Sequence, residues 1–252
     1  SKLQQESGYP YIINIDTANR TNPVDGTIVM SNLCSEILQV QQPSLLNDKQ
    51  EYEVLGTDIS CNLGSTNIPN LMKSPDFGKS VETMVRALTY VTDHSSIDAV
   101  PTIKNGNDQA HTIGLGGMGL HTMFATNQMH YGSPESIEFT DIYFMLLNYY
   151  TLAASNKIAK ERGEAFVNFN KSSYYTGEYF DAYTDSDVVF QSEKVKHIFE
   201  GIKVPTKEDW LQLKQAVRES GLYHQNRLAI APTGSISYVN ETSASLHPIT
   251  RL

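Results

Sequence analysis

The chain has 252 residues, of which 40% are hydrophobic and 19% charged, so it carries enough apolar material for a packed core and is not a disordered polymer. Its net charge of −9, with no cluster of Lys and Arg, argues against a nucleic-acid scaffold, and no apolar run approaches the roughly eighteen residues of a membrane span. Two cysteines are too few for a disulfide scaffold and fit a reducing, cytoplasmic setting, while seven histidines without HxH or HxxxH spacing predict no metal site.

In chain order, residues 1–8 read as the end of a helix stopped by Gly8 and Pro10. Residues 11–16 and 27–30 are rich in β-formers and read as strands, the second leading straight into Cys34. Residues 41–53 are polar and read as a loop or hairpin, and 52–55 and 58–63 as extended segments, the latter carrying Cys61. Ser74-Pro75 predicts a helix start, with Phe77, Val81, Met84, Leu88 and Val91 on one face. A longer helix is predicted from Ser133-Pro134 to Gly163, with Tyr143, Leu147, Tyr150, Ala154 and Ile158 as core packing. Tyr174, Tyr175, Tyr179, Phe180 and Tyr183 could stack bases or relay electrons, and read first as a packed surface layer. A third helix runs from the cap Thr206, with Asp209 at the capping-box position, through Trp210, Leu213 and Val217 to Gly221. With no internal repeat or low-complexity linker, one compact α/β unit over 1–252 is expected. The opening without Met or signal pattern, and the closing residues Pro248 to Leu252 without a terminating element, predict an interior piece of a longer chain.

The chemistry-bearing stretch is Ser31-Asn32-Leu33-Cys34-Ser35-Glu36-Ile37. If it is extended, Asn32, Cys34 and Glu36 share one surface and Leu33, Ser35 and Ile37 the other. A thiol, an amide and a carboxylate on one side suit one-electron or nucleophilic chemistry at a hydroxyl-bearing substrate. A lone cysteine is also commonly a small buried hydrophobe, and the spacing alone does not choose between the two.

Two glycine-bearing segments compete as phosphate sites. Gly114 to Gly119 spells G-x-G-x-x-G, but residues 107–112 before it do not make the hydrophobic strand that a dinucleotide fold needs, so these glycines read as close helix packing. Leu228 to Ala231 reads as a buried parallel strand running into Pro232-Thr233-Gly234-Ser235-Ile236-Ser237. Such a strand–loop junction offers backbone N–H groups and hydroxyls to a phosphate, or is an ordinary turn.

Taken together, residues 32–37, Asp58-Ile59-Ser60-Cys61-Asn62-Leu63-Gly64-Ser65 and residues 232–237 resemble the large, catalytic subunit of aerobic, class I ribonucleotide reductase, the class Ib branch most of all. Residues 5–11 and 159–163 agree, and the similarity spans the chain in the family's order. The resemblance implies an α/β barrel of two half-barrels with Cys34 on a central loop. It implies that Cys34 is the transient thiyl radical, that Glu36 takes the 3′-hydroxyl proton, and that Asn32 bonds to substrate hydroxyls. Leu33 and Ser35 would line the substrate with them, Cys61 would be half of the reducing thiol pair, and Pro232, Thr233, Gly234, Ser235 and Ile236 would grip the diphosphate.

The same resemblance implies a ribonucleoside diphosphate substrate and no cofactor bound by this chain. The radical would come from a metal-containing small subunit, electrons from a glutaredoxin- or thioredoxin-like reductant, and the longer subunit would form an allosteric homodimer. The N-terminal specificity region, the tyrosines that relay the radical, the C-terminal cysteine tail and a third cysteine are not found, so the chain alone is expected not to turn over. The alternative is an inactive nucleotide-binding or assembly module, a split-gene piece that needs its other halves.

Overall fold

The computed structural model describes residues 2–249, so the expectation for residues 250–252 lies outside the described residues. Its elements, in chain order, begin with helices α1 (Lys2–Ser7) and α2 (Ile15–Arg20) and strands β1 (Leu45–Leu46), β2 (Tyr52–Val54) and β3 (Leu63–Asn67). Then come α3 (Ile68–Leu71), α4 (Phe77–His94), α5 (Pro101–Ala110), β4 (Gly114–Met118), α6 (Leu120–Thr126) and α7 (Pro134–Arg162). The last are α8 (Ser173–Thr176), α9 (Asp181–Thr184), α10 (Glu193–Ile198), α11 (Lys207–Ser220) and α12 (Gly234–Val239).

Helix α7, 29 residues long and so about 43 Å from end to end, is the central post. The Ser133 side chain accepts the Ser136 N–H, Pro134 occupies the first turn, and Gly163 stops the helix with φ +67°. Phe139, Tyr143, Leu146 and Leu147 face a first core shared with α4 and β4. Leu152 faces a second core with Trp210, Leu213 and Val217 of α11 and the aromatic pair Tyr174 and Phe180. Because both sides of α7 are covered, its apolar residues do not form a single stripe. The aromatic segment, expected as a packed surface layer, instead sends Tyr174 and Phe180 into this core, where Tyr183 stacks on Trp210 at 4.2 Å between ring centroids, while Tyr175 stays exposed.

Helix α11 has the predicted capping box, with Thr206 and Asp209 each accepting the other's backbone N–H. Helix α4 is capped by Asp76, not Ser74, and buries Phe77, Val81, Val85, Thr89 and Thr92. Val91 of the predicted face is 48% exposed.

The predicted barrel of two half-barrels is corrected by the sheet topology. Among the described residues there are two two-stranded sheets, β1–β2 antiparallel and β3–β4 parallel, and neither closes on itself. Closure needs an unbroken ring of ladder bonds, and the segments expected to supply strands spend their backbone groups elsewhere. Ile28 gives its N–H to Asn19 Oδ1 and accepts from Asn19 Nδ2, both at 2.8 Å, so a side-chain amide stands where a neighbouring strand would. Residues 11–14 are irregular, and Ile15 and Asp16 open α2. The segment 228–231 makes one parallel bridge, Leu115 to Leu228. What remains is an α/β arrangement dominated by helices.

A second correction concerns Gly114 to Met118, which is strand β4 and not a helix-packing segment. All five of its residues are buried between β3, in register from Leu63↔Gly114 to Asn67↔Met118, and residues 227–229. A Cβ on Gly116 would lie 2.2 Å from the Ala229 carbonyl oxygen, and one on Gly114 would lie 2.5 Å from Leu63 Cδ2. These glycines let β4 pack closely against β3 and the Ala229 backbone.

Candidate functional site

Residues 31–37 are not extended. The Ser35 N–H bonds to Asn32 C=O at 3.0 Å, closing a turn through Leu33 and Cys34, and Ser35 takes φ +65°. The face alternation expected of a strand therefore fails here: Leu33 is 87% exposed while Ile37 is buried. Asn32 organises the turn instead. Its Oδ1 accepts the Ile37 N–H at 3.0 Å, and its Nδ2 points to Cys61 Sγ at 3.5 Å. Ser31 Oγ closes the base on Ile37 C=O at 2.6 Å.

One side chain thus ties the Cys34 turn to Cys61, 29 residues away. Both thiols are exposed and free. Partial burial pushes the Cys61 thiol up; the Asn32 amide opposes this, and the nearby Glu36 and Cys34 add to the upward push. Cys61 is therefore held as S–H at neutral pH, the form that can deliver a hydrogen atom or a proton with its electron. Tyr11 stacks on Tyr9 with centroids 5.2 Å apart, and its phenol is raised chiefly by Tyr9, with a smaller contribution from Cys34.

Behind the turn lies a cavity of about 160 Å³ whose walls come from three separated segments: Glu36 to Leu38, Ser60 and Asn62, and Asn226, Leu228 and Ala229, with Thr112 to Gly114 beneath. Glu36 Oε2 is buried without a partner. The structure thereby brings together the segments around Cys34 and Cys61 and the segment 226–229 before the 232–236 loop.

The loop itself is divided. Pro232, Gly234, Ser235 and Ile236 are exposed, whereas Thr233 is buried and its Oγ1 accepts the Ser245 N–H at 2.7 Å. Gly234 opens α12, whose first turn carries Gly234, Ser235 and Ile236 ahead of the Ser237 N–H bond to Thr233 C=O at 3.0 Å. These leading N–H groups have no intrahelical acceptor. Ser235, not Thr233, offers its hydroxyl outward.

Sequence reasoning did not single out Thr112, Asn226 or Arg227. Arg227 is buried among neutral partners, Tyr174 OH at 3.2 Å and Asn148 Oδ1 at 3.3 Å, and it anchors the start of the 228–231 segment. No local pattern marks these residues, because each acquires its surroundings from elements far away in the chain. Among the described residues, no group of three or more His, Cys, Asp or Glu is placed to hold a metal ion, and no helix is long and apolar enough to cross a membrane.

Compared with known proteins, residues 1–252 match the family described as ribonucleotide reductase, barrel domain. The ribonucleoside-diphosphate reductase subunit alpha of Bacillus subtilis is 45% identical over 249 residues, covering 98% of this chain and 36% of the relative. The subunit alpha of Mycoplasma pneumoniae is 43% identical over 255 residues, covering 99% of this chain and 35% of that protein. The Helicobacter pylori subunit alpha is 28% identical over 298 residues, covering 97% and 36%. The chain spans about a third of the length of these curated relatives.

Proposed function

The chain belongs to the ribonucleotide reductase barrel-domain family, a family of oxidoreductases, and from that premise we propose that it carries the radical site of a class I, Ib-like, large subunit acting on ribonucleoside diphosphates. The observation that carries this reading is the Asn32 amide at 3.5 Å from Cys61 Sγ, which joins the two cysteine segments into one site.

In the proposed reaction the Cys34 thiyl takes the 3′ hydrogen atom, forming S–H and leaving a carbon radical on the ribose. Glu36 accepts the 3′-hydroxyl proton as the 2′ hydroxyl leaves as water, ordinary general-base work. Asn32 orients the hydroxyls. Cys61 and a second thiol supply two electrons and two protons, one proton completing the departing water and one hydrogen going to C2′, and end as a disulfide; Glu36 then returns its proton to the 3′ oxygen, the 3′ hydrogen atom returns, and the Cys34 radical is regenerated. The scheme uses three thiols and the chain has two cysteines, so one thiol comes from outside these 252 residues. The radical comes from a metal-containing small subunit, and a thioredoxin- or glutaredoxin-like protein re-reduces the disulfide. The diphosphate sits on the N–H groups of Gly234, Ser235 and Ile236 and the Ser235 hydroxyl, with Pro232 and Thr233 shaping the loop. Leu33 and Ser35 flank the ribose.

Calorimetric titration of the chain with CDP tests the site. Cys34→Ser is expected to bind as the wild type does, and Ser235→Ala roughly tenfold more weakly through loss of a charge-assisted bond. Absence of CDP binding by the folded chain, or equal binding by wild type and Ser235→Ala, overturns the assignment.

A further inference from the structure

We propose that the cavity behind Glu36 is a built site for ordered water, and that Thr112 and Asn226 are positioning residues that hold the Glu36 carboxylate through it. Three residues lining this space each carry a buried polar atom without a partner: Glu36 Oε2, Thr112 Oγ1 and Asn226 Oδ1. Thr112 is only 7% exposed. An orphaned buried polar atom costs about 1–3 kcal/mol, so three around one space need a common partner.

The types of atom identify that partner. An ionised carboxylate and an amide oxygen only accept, and they cannot satisfy each other. A molecule that donates twice and also accepts satisfies both, with the Thr112 hydroxyl as a third contact. Water does this. The space of about 160 Å³ far exceeds the roughly 10–15 Å³ of such volume that one water needs.

The surrounding groups are already committed. Asn62 Nδ2 donates to Ser60 Oγ at 2.9 Å, and Ser60 Oγ donates to Asn107. The backbones of the two positioning residues are fixed as well. Thr112 C=O accepts from Thr92 Oγ1 at 3.1 Å, and the Ile113 N–H bonds to Asn226 C=O at 3.1 Å. The water site is therefore framed by residues 36–38, Ser60 and Asn62, the start of β4 and the 226–229 segment, with α4 tying down the Thr112 backbone from outside. Its consequence, which rests on the reading of Glu36 as the proton acceptor, is a carboxylate held in place to take the 3′-hydroxyl proton and to return it to the 3′ oxygen when the product hydroxyl is restored.

High-resolution crystal structures of the chain, together with the side-chain ¹³C carboxylate resonance of Glu36, test this. The wild type is expected to show a full-occupancy water bonded to Glu36 Oε2 and to Thr112 Oγ1 or Asn226 Oδ1. Thr112→Val keeps the shape and is expected to lose that water and shift the Glu36 resonance, while Thr112→Ser restores both. A dry cavity in the wild type, or a Val variant with water and resonance unchanged, overturns the proposal. If the Val variant does not fold, the wild-type and Ser structures still decide, since both must hold the water. CDP binding is read separately: a hydrated cavity in a chain that ignores CDP fails only the functional reading, and a dry cavity in a chain that binds CDP fails only this one.

Discussion

Along α7 the fold is held by apolar contact on two sides, with Phe139, Tyr143, Leu146, Leu147 and Leu152 all removed from solvent. At residues 19–37 the chain is held by side-chain amides: Asn19 clamps Ile28 at both backbone groups, and Asn32 clamps Ile37 while reaching Cys61. The first kind of restraint is non-directional and close-packed, so emptying any one position leaves a cavity that its neighbours fill only partly. The second depends on a few directional bonds worth about 1 kcal/mol each, and it leaves the thiols exposed. The comparison teaches that stability is stored in the helical half, while the candidate chemistry sits where the backbone was never committed to a ladder.

The sharpest way to break this comparison is to empty the helical core. Phe139→Ala is expected to cost about 3–5 kcal/mol in chemical denaturation, whereas Leu33→Ala at the exposed tip of the turn stays within about 0.5 kcal/mol. Similar losses at both positions would mean that the turn is part of the stability core.

A smaller effect should appear on acidification. His224 is fully buried between Ser155 Oγ at 2.9 Å and Thr89 Oγ1 at 2.8 Å, and burial together with Arg227 lowers its pKa well below the ordinary 6.5. The unfolded chain binds a proton there that the folded chain refuses. The stability contribution is therefore complete above about pH 6.5 and is lost as pH falls towards the depressed folded value, at up to about 1.4 kcal/mol per pH unit. Denaturation curves from about pH 7 to about pH 5 should show this slope, and His224→Gln should flatten it; an unchanged slope in the variant assigns the titration to another group.

The smallest effect probes the amide-held half. In a Cys34→Ser background, Glu36→Gln removes one of the charges that raise the Cys61 thiol. Alkylation of Cys61 by iodoacetamide near neutral pH should then quicken roughly two- to threefold, with little change in melting temperature. A slower reaction would mean that Glu36 acts on Cys61 through access and not through charge.

The local sequence determined the helices. Ser133-Pro134 with Gly163, and Thr206 with Asp209 and Gly221, mark helix ends because caps satisfy orphaned backbone groups within a few residues, information that never leaves the segment. The family could be named from three short motifs, whereas the aromatic segment read as a surface layer and only packing against Trp210 of α11 made Tyr174 and Phe180 core. The strands were another matter. A run such as Thr27 to Met30 has the composition of a strand, but a ladder needs a partner, and Asn19 took that place. Gly114 to Met118 has a poor strand composition, yet it pairs because only glycine lets β3 and the Ala229 backbone come so close. Tertiary structure decided that Asn32 of the Cys34 turn reaches Cys61, that Thr233 turns inward while Ser235 stays out, and that Thr112 and Asn226 stand beside Glu36. The Asn32–Cys61 and Asn226–Leu38 bonds join residues 29 and 188 positions apart, which no window of neighbouring residues contains.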